Sequence, residues 1–340
     1  QFAEAAEAYS AALGLLPAGD VAEQRAVRLE LAKAQVQSGG LFDARRDLEA
    51  LVDELSEDPS VDAKQVGAAS ALVTLHPHPK VVLRSNSPIR YLSTIEERLD
   101  LLKPLGLDYA VVFPFSLETS QIHARDFVQL LIDHLRMQEI FCGKDFALGY
   151  KREGNVDFMR TLGAEQGFTV TVVEPQTFDG QIISSTRIRE LVAQGDLDEA
   201  TRSLGRYPSV RGRVIKGDQR GRTLGFPTAN LAIAERRLIP ADGIYAVRIK
   251  IGEQWWDGAA NIGVRPTFDN GARLVEVFVL DFGTKGTFGG DLYDQVVEVQ
   301  FIKRLRAELK FESVAALVEQ MQRDVAETRR ILAEVGIDGK

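Results

Sequence analysis

The sequence predicts a multidomain fold: an N-terminal α-helical segment, an α/β block built on a parallel sheet, and a C-terminal antiparallel sheet or barrel closed by one helix. Three observations predict it. Residues 1 to about 65 are rich in Ala and Leu and poor in aromatic and β-branched residues. From Ala69 onward, short apolar runs alternate with stretches of helical spacing. From Val210 onward, strand-like runs follow one another between Gly- and Pro-containing turns.

The first segment divides into three helical stretches. Phe2 to Leu13 is stopped by Pro17, Arg25 to Val36 ends at Ser38-Gly39-Gly40, and Phe42 to Leu55 ends before Pro59. Phe2, Ala5, Tyr9 and Pro17 are loosely echoed by Phe42, Ala44, Leu48 and Pro59. Residues 1–66 thus resemble tetratricopeptide-type hairpins, whose repeat is about 34 residues. A short Ala-rich bundle is the alternative. Helical repeats of this kind imply a protein partner.

Residues 67–196 carry the alternating pattern. Ala71–Leu75, Tyr109–Phe113, Glu139–Cys142 and Phe168–Val173 read as strands. Leu99–Leu105, Phe127–Met137, Val156–Gln166, Ser185–Ala193 and Leu197–Ser203 read as helices, the last of them reaching past the boundary. Residues 197–340 read as strands at Val210–Ile215, Ile244–Ile251, Gln254–Asn261, Leu274–Asp281 and Gln295–Phe301. Ser313–Val335 closes the chain as an amphipathic helix, with Val314, Leu317, Val318, Met321, Val325, Ile331 and Leu332 at helical spacing.

Composition narrows the class. The 340 residues are 45% hydrophobic and 26% charged, ordinary for a globular protein. The net charge of -8 disfavours a nucleic-acid partner. No apolar run approaches the roughly 20 residues that span a bilayer, so no membrane partner is expected. The single Cys142 forms no internal disulfide and excludes a Cys-based zinc site, which suits a reducing compartment. No signal peptide is evident, and a cytoplasmic location is expected. The chain opens on Gln1 rather than Met, which reads as a processed chain or a part of a longer one.

The stretch Lys216 to Asn230 holds the most chemistry. Gly217, Gly221 and Gly225 permit tight turns whose backbone N–H groups can cradle phosphate. Arg222 adds a bidentate phosphate donor. Pro227 precedes Thr228-Ala229-Asn230, where Thr228 and Asn230 point the same way in extended backbone and offer two neutral oxygens to Mg²⁺. No Walker A loop occurs in the chain.

The run Gly217-x-x-x-Gly221-Arg222-x-Leu224-Gly225-Phe226-Pro227-Thr228-Ala229-Asn230 is similar to the signature of bacterial riboflavin kinases. Gly243-Ile244-Tyr245-Ala246, Asn261 to Phe268, Val275 to Phe278 and Leu305 to Phe311 follow in that family's order, over essentially all of residues 206 to 335. The resemblance implies a Greek-key β-barrel that transfers the ATP γ-phosphate to the 5′-hydroxyl of riboflavin. Glu276 sits in Leu274-Val275-Glu276-Val277-Phe278, where a carboxylate is costly unless it has a task or a partner. The resemblance gives it the task of accepting the ribityl hydroxyl proton. Tyr245, Asn261, Arg306 and Phe311 are candidates for the apolar slot a flavin ring needs. Trp255 and Trp256 read as packing and surface cover.

Residues 70 to 190 resemble the FMN adenylyltransferase with which this kinase is commonly fused in bacteria as a bifunctional FAD synthetase. Thr74-Leu75-His76-Pro77-His78-Pro79, Gly143-Lys144-Asp145-Phe146 to Asn155, and Ile183-Ser184-Ser185-Thr186-Arg187-Ile188-Arg189 carry the likeness. It implies a partial Rossmann-like nucleotidyltransferase block with Asp145, Ser184, Ser185, Thr186 and Arg187 as its site residues, the last four in the motif that contacts ATP phosphates. Ser and Thr at a helix N-terminus suit anion binding. The family's H-x-G-H does not occur around His76, His78, His123 or His134; Arg46 and Glu49 take its place after Gly40-Leu41-Phe42-Asp43. The sequence reading is therefore a riboflavin kinase with a degenerate adenylyltransferase half, using ATP, riboflavin or FMN, and Mg²⁺. The alternatives are a working bifunctional riboflavin kinase/FAD synthetase and a non-enzymatic flavin-binding helical-repeat adaptor.

Overall fold

The computed structural model describes residues 68–84, 86–217, 221, 224–264, 273–282 and 291–335. These fall into two compact units, one of residues 68–89 and 95–183, the other of residues 90–94 and 184–335. The tetratricopeptide-like segment 1–66 lies outside the described residues.

In the first unit, the apolar run Ala71–His76 forms strand β1, and Tyr109–Pro114 forms β2 beside it in parallel, from Ala71 opposite Tyr109 to His76 opposite Pro114. A parallel pair needs a long crossover. Here it contains the helices Pro79–Leu83 and Ile95–Leu102. His78 caps the first of these, its Nδ1 accepting the Lys80 N–H at 3.1 Å. Arg98 of the second donates to Thr74 Oγ1 at 2.6 Å, tying helix to strand. Helix Ala124–Leu135 leads to β3, Glu139–Gly143. Two short strands, β4 (Ala147–Leu148) and β5 (Gly154–Asn155), pair with each other. Helix Val156–Gln166 starts on Asn155, whose side chain accepts the Phe158 N–H, and stops at Gly167, where φ is 81°. Strand β6, Thr169–Val173, then runs parallel to β3. Val128, Met159, Leu162 and Phe168 form the core of this unit. A hairpin of β7 (Thr177–Phe178) and β8 (Gln181–Ile182) follows.

The four expected strands are present, but the single parallel sheet is not: among the described residues they form two separate two-stranded sheets. Apolar runs announce a strand; which strand it pairs with is a long-range choice that the run does not encode. Cys142 on β3 is a buried core residue, 5% exposed, and burial pushes its thiol up.

The second unit begins with helices Ser185–Gln194 and Leu197–Leu204. Then come β9 (Ser209–Ile215), β10 (Thr228–Ile233), β11 (Gly243–Ile251), β12 (Gln254–Val264), β13 (Arg273–Val279) and β14 (Val296–Arg306). They close into an antiparallel barrel in the order β10-β13-β12-β11-β14-β9. Strands β11, β12 and β13 are a meander and β14 returns beside β11, which is Greek-key connectivity. Strand β10 is additional to the five expected from sequence; Ala229, Asn230 and Ala232 are weak strand formers and mask it.

Alternation sets the barrel's two faces. Val210, Val214, Leu231, Tyr245, Val247, Ile249, Ile262, Val275, Val277 and Phe301 fill the interior. The terminal helix, Val314–Val335, lies outside, where Ile331 and Leu332 pack on Ala246 and Ile302. Trp256 packs edge-on against Phe282, with ring centroids 5.3 Å apart, at the margin of the core.

Candidate functional site

Four of the residues nominated on the barrel, Asn230, Glu276, Asn261 and Arg306, lie along one row of its outer face. On β13, Val275 and Val277 point inward, so Glu276 points out. Asn230 on β10 is the register partner of Glu276 on one side, and Asn261 on β12 is its partner on the other. The row continues through Ile244 on β11 to Arg306 on β14. Thr228 lies one step along β10, on the same face as Asn230, opposite Phe278. Cross-strand partners have Cβ atoms about 4.5–5.5 Å apart, so a carboxylate stands between two amides. Asn230 is 5% exposed, whereas Glu276 and Asn261 are half-buried. Asn261 Oδ1 is fully buried and accepts no hydrogen bond among the described residues.

The glycine turns border this row. Gly217 lies against the Asn230 amide so closely that a Cβ there would collide with it. Gly221 lies against the Phe226 carbonyl, and its own carbonyl accepts the Leu224 and Phe226 N–H groups at 3.1 and 2.8 Å. Gly225 has φ +87°, a left-handed turn that suits glycine. Pro227 is exposed, and Phe226 packs edge-on against Phe278 with centroids 5.2 Å apart. Arg222 lies outside the described residues. Thr228 and Asn230 present neutral oxygens, the donor chemistry a hard cation such as Mg²⁺ accepts.

The flavin candidates separate. Asn261 and Arg306 are in the row, and Phe311 lies with its ring centroid 6.0 Å from the Arg306 guanidinium carbon. Tyr245 is a correction. It is fully buried inside the barrel, its hydroxyl donates to the Ala241 carbonyl at 2.5 Å, and its ring packs edge-on against Phe301. Residue 245 falls on the inward beat of β11, so it is a core residue with no face for a ligand. Burial pushes its hydroxyl up to about 12.

Sequence reasoning missed Asp324 and Gln320 on the terminal helix. Asp324 is 8% exposed and receives Arg306 through both of its carboxylate oxygens. A signal was available: Asp324 falls at helical spacing within the apolar stripe of Leu317, Met321 and Ile331.

The adenylyltransferase-type residues are split between the units. Asp145 is exposed in the first, where its carbonyl accepts from Arg152 at 3.2 Å. Nearby, the Glu153 carboxylate accepts the Ala124 N–H at 2.8 Å and lies 2.9 Å from His123 Nδ1; those contacts, the backbone one first, hold its carboxyl below the usual range. Ser184 caps helix Ser185–Gln194 by accepting the Arg187 N–H at 3.3 Å. Ser185 and Thr186 are exposed in its first turn, and the Arg187 guanidinium pairs with Glu199.

The site is thus a carboxylate flanked by two amides on a closed antiparallel barrel, bordered by glycine turns. Comparison with known proteins carries this to a family. The riboflavin kinase family matches residues 204–332, and the FAD synthetase family matches residues 51–187. The bifunctional riboflavin kinase/FMN adenylyltransferase of Listeria monocytogenes is 36% identical, over 80% of this chain and 85% of its own. The enzyme of the same name from Pseudomonas fluorescens is 36% identical, over 86% of this chain and 92% of its own. A crystal structure from Streptococcus pneumoniae, of a protein named as a macrolide-efflux protein, superposes with a TM-score of 0.71 at 30% identity, covering 81% of this chain and 88% of that one. The chain belongs to the bifunctional riboflavin kinase/FMN adenylyltransferase family. The tetratricopeptide-like reading of residues 1–66 finds no support in these comparisons, and residues 51–66 of that segment fall within the FAD synthetase match. Among the described residues no helix is long and apolar enough to cross a membrane.

Proposed function

We propose that the chain converts riboflavin and ATP to FMN and ADP, then FMN and ATP to FAD and pyrophosphate. The kinase step belongs to residues 197–340 and the adenylyl step to residues 67–196 with the helix that follows Ser184. The observation that carries the kinase reading is the row Asn230–Glu276–Asn261. In it, Glu276 accepts the proton of the ribityl 5′-hydroxyl as that oxygen bonds to the γ-phosphorus and the bond to ADP breaks. Asn261 Oδ1, buried and unsatisfied among the described residues, is an acceptor for a donor group of the substrate. Arg306 and Phe311 line the flavin side. Gly217, Gly221, Gly225 and Pro227 shape the phosphate turn, to which Arg222 adds positive charge. Thr228 and Asn230 would hold Mg²⁺, which supplies charge neutralisation for the phosphates when bound.

The expectation of a degenerate adenylyltransferase half gives way to the working pair. The FAD synthetase match over residues 51–187 and relatives bearing both activities in their names support the pair better. Arg46 and Glu49, at the positions of the missing histidines, lie outside the described residues. Ser184, Ser185, Thr186 and Arg187 are the proposed ATP-phosphate residues. The kinase reading is tested by FMN formation from riboflavin and ATP with Mg²⁺, and again with excess EDTA. FMN formed only with the metal is expected; FMN formation undiminished by EDTA contradicts the role of Thr228 and Asn230.

A further inference from the structure

We propose that Asp324 is a positioning residue: by holding Arg306, it fixes the segment 307–311 at the flavin end of the barrel row. This rests on the reading of Arg306 and Phe311 as flavin-side residues. Arg306 ends β14, and the five residues after it have no regular secondary structure. Its Nε donates to Asp324 Oδ1 and Oδ2 at 3.0 and 3.2 Å, and its Nη2 donates to Oδ2 at 2.6 Å. Gln320, one helical turn earlier, donates from Nε2 to Oδ1 at 2.9 Å. The remaining Arg306 nitrogen, Nη1, donates to the Ala307 carbonyl at 3.0 Å, and the guanidinium lies over Phe311. One guanidinium therefore clamps both the start and the end of the segment.

The middle of the segment meets the barrel face. Glu308 packs its carboxylate on Gly263 so closely that a Cβ there would collide with it. Gly263 is two residues from Asn261 on β12 and shares its face. The segment thus runs beside the row while Leu309 stays 54% exposed.

Stability alone does not account for the buried pair. Desolvation offsets most of the attraction in such a pair, and apolar replacements are often as stable. The terminal helix already docks through Ile331 and Leu332 on Ala246 and Ile302. What the pair adds is direction: a planar guanidinium gripped by a carboxylate has one orientation.

The experiment compares Asp324→Asn, Asp324→Glu and Gln320→Leu with the wild type in the full chain. Riboflavin binding is read by quenching of its fluorescence, turnover by FMN formation, and folding by Tm. Asp324→Asn is expected to raise the riboflavin Kd and KM together by about tenfold, leaving the ATP KM within about twofold and kcat within about threefold. Asp324→Glu recovers part of the loss. An unchanged riboflavin Kd and KM in folded Asp324→Asn overturns the proposal. If that variant does not fold, Gln320→Leu decides by the same readout, with a rise of about threefold expected and no rise overturning it. A wild type that binds riboflavin without phosphorylating it contradicts the kinase reading instead, and the binding shift still decides the role of Asp324.

Discussion

Asn230 on β10 and Glu276 on β13 are direct register partners, so the amide proposed for the metal and the carboxylate proposed as the base stand side by side. They are 46 residues apart in sequence. Only the closure of the barrel joins the glycine turn to the strand that carries the carboxylate. The pairing brings the proposed phosphate turn and the proposed proton acceptor to one place on the barrel.

Glu276→Gln keeps the side chain's shape and removes the proton acceptor. General-base contributions are typically about 10²–10⁴-fold, so kcat for FMN formation is expected to fall in that range. Riboflavin binding by fluorescence should persist. A variant with near wild-type kcat would make Glu276 a structural residue.

Gly217→Ala places a methyl group where the Asn230 amide lies. Overpacking of this kind costs about 1–3 kcal/mol, and here part of the strain is relieved by moving Asn230. The Mg²⁺ concentration giving half-maximal FMN formation should rise. An unchanged Mg²⁺ dependence would separate Asn230 from the metal.

The sequence announced most elements because their signals are local. Val156–Gln166 is bounded by an Asn cap and a Gly stop, and its ends are as expected. Gly217 to Asn230 stands out as a candidate in the sequence because its glycines and its hydroxyl and amide side chains lie within one stretch of 14 residues. The placing of Asn261 beside Glu276, and of Arg306 further along the same row, was not legible, since it depends on register between strands far apart in sequence. Tyr245 was misjudged for a related reason: its neighbours in sequence carry the family likeness, and only the strand's alternation shows that it points inward.

Tyr245→Phe tests that correction. It removes the hydrogen bond to the Ala241 carbonyl and should cost about 1 kcal/mol of stability while leaving the riboflavin KM unchanged. The wild type adds a pH signature. The folded-state pKa, about 12, lies above the ordinary value of about 10, so the native state holds the proton more tightly. Stability contributed by the neutral hydroxyl is complete below about pH 10 and is lost as pH rises towards 12, by up to about 1.4 kcal/mol per unit. Denaturant melts at pH 9 and pH 11 should show this extra loss in the wild type and not in Tyr245→Phe. A raised riboflavin KM in the variant would return Tyr245 to the flavin slot.

Arg187→Ala should lower FAD formation from FMN by more than tenfold while FMN formation stays within about twofold, since losing one charge-stabilising donor costs about 10²–10³-fold at a reacting phosphate. FMN formation in the same tube controls for folding of the unit that contains both Arg187 and the barrel. Equal loss of both products would mean that the Arg187–Glu199 pair is structural.

The most direct test of the two-step account is a time course of products from the full chain with riboflavin, ATP and Mg²⁺, separated by chromatography with pyrophosphate measured in parallel. The account predicts FMN first, then FAD rising as FMN falls, with one pyrophosphate for each FAD. FMN that accumulates without FAD or pyrophosphate contradicts it and returns the adenylyltransferase half to the degenerate reading.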